Sequence, residues 1–119
     1  MHGNVSFIEI GTSDTEQSRP FFERVFGWNF NPMPEGGGWF QAPSIRVGFH
    51  GDDPDPRIYI FFEVPDLEQA IALVRDAGGK ADPATADTPG FGRFSHCRDP
   101  RGISFGLHEP RSEETMSGR

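Results

Sequence analysis

The sequence predicts an α+β fold made of two similar halves, on three observations. A strand runs into Thr12-Ser13-Asp14, then a helical stretch and Gly27; 52 positions later a strand runs into Val64-Pro65-Asp66, then a helical stretch and Gly79. Each helix is followed by short alternating runs broken at Pro43-Ser44 or at Asp99-Pro100-Arg101-Gly102, the pattern of hairpins. A half-size unit of this kind cannot bury its own sheet face, so two copies pack against each other or against another chain, which favours a shared cavity.

The first strand, Val5 to Ile10, alternates with Val5, Phe7 and Glu9 on one face and Ser6, Ile8 and Ile10 on the other. Ser13 followed by Glu16 reads as a capping box, and the helix then runs to Phe26 and stops at Gly27. Phe21, Phe22, Val25 and Phe26 make its apolar stripe, expected in the core. Pro20 conflicts with this helix, because it removes a hydrogen bond and clashes with the preceding turn, so a kink or a later start is expected there. Trp28 to Phe30 begins a second strand, interrupted by Pro32, Pro34 and Gly36-Gly37-Gly38, a loop suited to a cavity rim. Trp39 to Ala42 and Ile45 to His50 form a hairpin, and the acidic, Pro-containing stretch from Gly51 to Pro56 is the seam between the halves.

In the second half, Arg57 to Val64 places Tyr59, Phe61 and Glu63 on one face and Ile58, Ile60, Phe62 and Val64 on the other, which is expected to be buried. Asp66 caps a helix carrying Leu67, Ala70, Ile71 and Val74, closed by Gly78-Gly79. A loop then extends to Gly90, followed by strands at Arg93 to Arg98 and Ile103 to His108. The chain is expected to be one domain over residues 1–109, with modules at 5–50 and 57–109 and a flexible tail at 110–119.

Composition narrows the function. A chain of 119 residues is long enough to fold without staples. Its net charge of -7 would repel a phosphate backbone, so nucleic acid is not expected as a partner. The N-terminus lacks a basic region followed by an apolar run, and no stretch approaches the about 18 apolar residues of a membrane span; a cytoplasmic protein is expected. The lone Cys97 has no disulfide partner or zinc-motif spacing and reads as a passive strand thiol. Gly36-Gly37-Gly38 lacks the Lys-Ser/Thr and the strand-to-helix setting of a phosphate loop.

Several segments together carry a resemblance. These are Glu9-Ile10 with Asp14, Pro20-Phe21-Phe22, Val25-Phe26-Gly27-Trp28, Val64-Pro65-Asp66, Ala77-Gly78-Gly79-Lys80, Gly90-Phe91-Gly92 and Asp99-Pro100-Arg101-Gly102. In this order, over residues 5 to 109, they resemble the vicinal oxygen chelate superfamily of glyoxalase I, bleomycin-resistance proteins and extradiol dioxygenases. The resemblance implies two βαβββ modules forming a curled mixed sheet around a cavity, in a homodimer. It also implies, for metal-dependent members, a His, Gln or Glu near the start of each module's first strand and a Glu on the last strand. Those places fall on Phe7 and Tyr59, on Gly106, and near Gly48 or Phe49, and none of these side chains ligates a divalent metal. Asp99 resembles the family's turn aspartate, which implies a structural cap.

The candidate site therefore has three readings. Phe7, Tyr59, Phe61 and Phe94, with Trp39 or Phe40 as further candidates, offer flat apolar surface for a small, partly aromatic organic molecule, bound without a metal cofactor. Glu9 is the candidate general base of a glyoxalase-type lyase or isomerase, the alternative being a carboxylate paired with Arg46 or Arg93. A relocated divalent-metal site would draw on Glu9, His50, Glu63 and His108, with His96 in reach.

Overall fold

A computed structural model describes residues 3–34 and 36–110 and forms two compact units, Phe7–Ile60 and a second built from Met1–Ser6 with Phe61–Arg119. The element order is β1 (Val5–Gly11), α1 (Thr15–Phe26), β2 (Asn29–Pro32), β3 (Gly38–Gln41), β4 (Arg46–His50), β5 (Arg57–Glu63), α2 (Leu67–Asp76), β6 (Lys80–Ala81), β7 (Arg93–Arg98) and β8 (Ser104–Glu109). The expected βαβββ order thus occurs twice. The expected tail lies, from residue 111 on, outside the described residues.

In the first unit the strands run β2-β3-β4-β1; β2–β3 and β3–β4 are antiparallel, and β1 joins β4 in parallel with Ile8 opposite Val47 and Gly11 opposite His50. Ile10, Phe40, Ala42, Val47 and Phe49 form its core, and Phe22 of α1 packs onto it with Trp28 and Phe30. Helix α1 begins at Asp14 rather than Ser13: the Asp14 carboxylate accepts the Glu16 and Gln17 N–H groups. Buried Thr12 braces this start, its Oγ1 accepting from the Asp14 N–H at 3.1 Å and lying 2.7 Å from Ser18 Oγ. The helix runs through Pro20 without a later start and ends at Gly27, whose φ of 70° needs a residue without a Cβ penalty.

The helix stripe departs from expectation. Only Phe22 packs onto the core, while Phe21, Val25 and Phe26 are each more than half exposed. One 12-residue helix over a narrow sheet can seat a single row of side chains, and Phe26 instead stacks on Trp28 at 4.5 Å. Ile58 and Ile60 are also exposed, at 56% and 43%, correcting the expectation that this whole face of β5 is buried.

In the second unit the strands run β5-β8-β7-β6, β5 entering with its Phe61, Phe62 and Glu63 end, which is parallel to β8, and the rest antiparallel. Leu67 and Ile71 of α2 bury against Leu107 and Cys97, each such side chain gaining about 1.5 to 3 kcal/mol. The Asp66 carboxylate caps α2 through the Gln69 N–H, and Glu109 accepts the Leu67 N–H at 2.9 Å. Arg93 binds Glu109 and Glu68, and the Glu109 carboxylate raises its guanidinium above the ordinary value. The two-residue β6 lies inside the stretch expected to be loop. Asp99 caps its turn as expected, accepting the Arg101 and Ile103 N–H groups.

Candidate functional site

Strand alternation sorts each sheet into two faces. Ile8, Ile10, Val47 and Phe49 point to α1, which sends Phe7, Glu9, Gly48 and His50 to the opposite face. Cys97, Phe105 and Leu107 point to α2, which sends Phe61, Phe94, His96, Gly106 and His108 to the face opposite.

The last-strand places implied by the resemblance are glycines in both units, and their side-chain space is filled. Across β1–β4, Glu9 lies opposite Gly48; a Cβ there would stand 2.9 Å from the Phe7 ring and 3.0 Å from Glu9 Oε1. Across β5–β8, Phe61 lies opposite Gly106, and its ring covers the place a Cβ would take. A rigid ring over a glycine leaves no room for a ligating side chain on the last strand. The first-strand places, Phe7 and Tyr59, carry a buried benzyl ring and a half-buried phenol beneath the Arg57 guanidinium at 4.6 Å. The residues present therefore do not fit the metal site implied by the resemblance.

The two histidines at the ends of β4 and β8 occupy matching positions, and both ring nitrogens of each are engaged. His50 Nδ1 lies 2.6 Å from Glu9 Oε2 and Nε2 lies 3.3 Å from Asp53 Oδ2. This makes a carboxylate–imidazole–carboxylate chain with Glu9 26% and His50 40% exposed. Glu9 is thus paired with His50, whereas Arg93 pairs with Glu68 and Glu109. The Asp55 backbone N–H holds the Asp53 carboxyl below its ordinary value, with the His50 hydrogen bond and charge acting in the same direction against burial. Gly11 makes room for the chain, since a Cβ there would collide with Asp53 Oδ2 and the His50 ring.

His108 is buried, with Nε2 2.6 Å from the Phe91 carbonyl and Nδ1 2.7 Å from Ser6 Oγ. A carbonyl only accepts, so Nε2 carries a proton, and Nδ1 shares a hydrogen bond with the Ser6 hydroxyl, which can act as donor or acceptor. The ring also stacks on Phe94 at 4.6 Å. Glu63 faces His108 in the β5–β8 register, but its side chain is exposed. Among the described residues no three His, Cys, Asp or Glu side chains converge as a cation cage. Of the relocated set, Glu9 and His50 meet in the first unit, whereas His108 is committed to Ser6 and Phe91 in the second.

Among the aromatic candidates, Phe61 is 1% exposed and acts as packing beneath Phe94 and His96, at ring distances of 5.3 and 5.2 Å. Phe40 belongs to the core under α1, and Trp39 lies 5.7 Å from the Arg46 guanidinium. Tyr59 and Phe94 keep partly open ring surface. Asp53 was missed by sequence reasoning because it sits in the stretch read as a linker. The Asp53 N–H donates to the Thr12 carbonyl at 3.0 Å, just beyond the ends of β1 and β4, a pairing that spacing along the chain does not encode. Cys97 is buried, and desolvation raises its thiol above the ordinary value, as suits a passive role.

The family model described as the Glyoxalase/Bleomycin resistance protein/Dioxygenase superfamily matches residues 4–107. The chain belongs to that superfamily. It is similar to CFP32 of Mycobacterium tuberculosis, which carries a provisional glyoxylase designation, at 28% identity over 88% of this chain and 45% of that protein. It is also similar to the anthracycline biosynthesis protein DnrV of Streptomyces peucetius, at 25% identity over 88% of this chain and 46% of that one. The chain spans about half the length of these curated relatives. In fold it matches methylmalonyl-CoA epimerase from Mycobacterium tuberculosis, with a TM-score of 0.70, 15% identity and coverage of 96% and 91%. It likewise matches a variant of homoprotocatechuate 2,3-dioxygenase from Brevibacterium fuscum, with a TM-score of 0.72, 18% identity and coverage of 92% and 33%. Among the described residues no helix is long and apolar enough to cross a membrane.

Proposed function

We propose that this superfamily member binds a small, partly aromatic organic molecule without using a metal at the family's ligand positions. The observation that carries the reading is the pair of glycines, Gly48 and Gly106, each overlaid by a first-strand ring of its own unit. Ligand contact falls to the half-open rings of Tyr59 and Phe94, with buried Phe7 and Phe61 as supporting packing. Arg57 over Tyr59 and His108 behind Phe94 hold those two rings in place, which lowers the entropy lost when a flat ligand stacks on either. The proposal includes a homodimer, in the cytoplasm.

Two measurements test it. Metal analysis of protein purified without an affinity tag, with calorimetric titration of zinc, nickel and iron(II), is expected to find no stoichiometric metal. Stoichiometric metal that disappears in Glu9→Ala overturns the metal-free reading. NMR titration with small planar aromatic carboxylates and phenols is expected to shift Tyr59 or Phe94, and the alanine variant of the shifted ring is expected to weaken the best binder about tenfold. Unchanged affinity in both variants overturns the assignment of these rings to ligand binding.

A second reading, a glyoxalase-type lyase or isomerase with Glu9 as general base, is favoured by the Glu9–His50–Asp53 chain. A base backed by an imidazole at 2.6 Å can hand on the proton it removes, while Asp53 keeps the ring oriented. Loss of turnover on a candidate substrate in Glu9→Gln, with ligand affinity retained, would favour this reading over simple binding.

A further inference from the structure

A groove of about 550 Å³ lies within the first unit, between α1 and the loop joining β2 to β3. It is separate from the Glu9 and Tyr59 residues, because its inner wall includes Phe49, which points to α1 rather than away from it. The helix contributes Glu16, Arg19, Pro20 and Glu23, and the strand and loop contribute Phe30, Pro32 and Met33. The loop closes tightly over β4 because residue 37 is glycine: its φ is +62°, and a Cβ would stand 2.6 Å from the Phe49 carbonyl oxygen.

The charges in this groove are arranged unusually. Arg19 lies flat over Phe30, 4.1 Å from guanidinium carbon to ring centroid, and its Nε donates to Glu23 Oε2 at 3.2 Å. Those two restraints fix the guanidinium plane and leave Nη1 and Nη2 without a hydrogen bond among the described residues. Glu16 stands one turn earlier on the same face, yet among the described residues it makes no ion pair with Arg19, which is drawn towards Glu23. Among the described residues a fixed donor fork and a carboxylate without an ion pair therefore stand side by side in a groove also lined by apolar Pro20, Pro32 and Met33.

A simple anion would meet the repulsion of Glu16 and Glu23, and a simple cation that of Arg19. A ligand carrying both charges satisfies both. We propose that this groove binds a zwitterionic α-amino acid with an apolar or aromatic side chain. The carboxylate takes the Arg19 Nη fork, the ammonium faces Glu16, and the side chain lies on the Pro20, Pro32 and Met33 surface, where the pliable Met33 thioether fits varied shapes.

The test is a heteronuclear NMR titration of the full chain with L-phenylalanine, alongside phenylacetate and phenethylamine, which each lack one charge. L-Phenylalanine is expected to shift the Arg19, Phe30 and Met33 signals saturably and to bind about tenfold or more tighter than either analogue. Arg19→Gln and Glu16→Gln, with folding checked by circular dichroism, are each expected to weaken it about tenfold, while Tyr59→Ala and Phe94→Ala leave it unchanged. The proposal is overturned by no saturable shift of the Arg19, Phe30 and Met33 signals, by either analogue shifting those signals with the affinity of the amino acid, or by both charge variants binding the amino acid as tightly as the native protein. It is also overturned if Tyr59→Ala or Phe94→Ala abolishes binding, because the amino acid would then occupy the other face and the proposed ligand class there would change instead.

Discussion

At Gly106 a single hydrogen atom decides what the β5–β8 pair can hold. The Phe61 ring occupies the space of the missing Cβ, so Gly106→Ala forces a ring that is 1% exposed out of its seat between Phe94 and His96. Overpacking of this kind costs about 1 to 3 kcal/mol, and urea denaturation is expected to show a midpoint lowered accordingly. Asp53 supports a second prediction, on pH. Its carboxyl is held below the ordinary value of 3.8 by the Asp55 N–H first and by His50 after it. A depressed folded-state value contributes stability above the unfolded value, lost as pH falls through the folded one. Wild-type thermal stability is therefore expected to drop on acidification below that ordinary value, and Asp53→Asn to flatten this part of the drop while lowering stability at neutral pH. An acid limb of unchanged steepness in Asp53→Asn would contradict the linkage.

The two helices answer to different forces. Helix α2 is held by burial of Leu67 and Ile71, whereas α1 has no fully buried residue and relies on its Asp14 cap, the Thr12–Ser18 brace and Phe22. It nevertheless runs through Pro20, which cannot donate to the Glu16 carbonyl one turn before it. Pro20→Ala restores that donor and is expected to stabilise the protein by about 1 to 3 kcal/mol, less the entropy the unfolded chain regains, as read by chemical denaturation. A destabilised variant would mean that the ring's packing in the groove outweighs the missing bond. Element order was legible in the sequence because caps and strand alternation are local: Asp66, Gly27 and the Asp99 turn all act as their spacing implies. Strand β6 was not, since two residues cannot display alternation and its place is fixed by pairing with Arg98 and Cys97. The Glu9–His50 contact was equally hidden, because it bridges 41 positions through a parallel register that only the folded sheet sets.

Across the whole chain, the residues that contradict the sequence pattern are apolar ones left in solvent. Alternation along β5 identifies Ile58 and Ile60 as belonging to one face, but whether a helix covers that face depends on where α2 docks, and α2 covers the Val64 end instead. Leaving two isoleucines and the Phe21, Val25 and Phe26 side chains of α1 half exposed forgoes hydrophobic gain that a covering surface would supply. The curated relatives, about twice as long, have further chain available for such covering. For this chain the proposed homodimer supplies it from a second copy. Light scattering at micromolar concentration is expected to give twice the chain mass, and Ile58→Glu with Ile60→Glu, which sets two carboxylates into the covered face, is expected to give the single-chain mass with circular dichroism unchanged. A native protein that scatters as a monomer refutes the dimer outright. A double variant that stays dimeric while the native protein is dimeric moves the interface off β5 and onto another surface, of which the exposed Phe21, Val25 and Phe26 row is the next to be charged and measured.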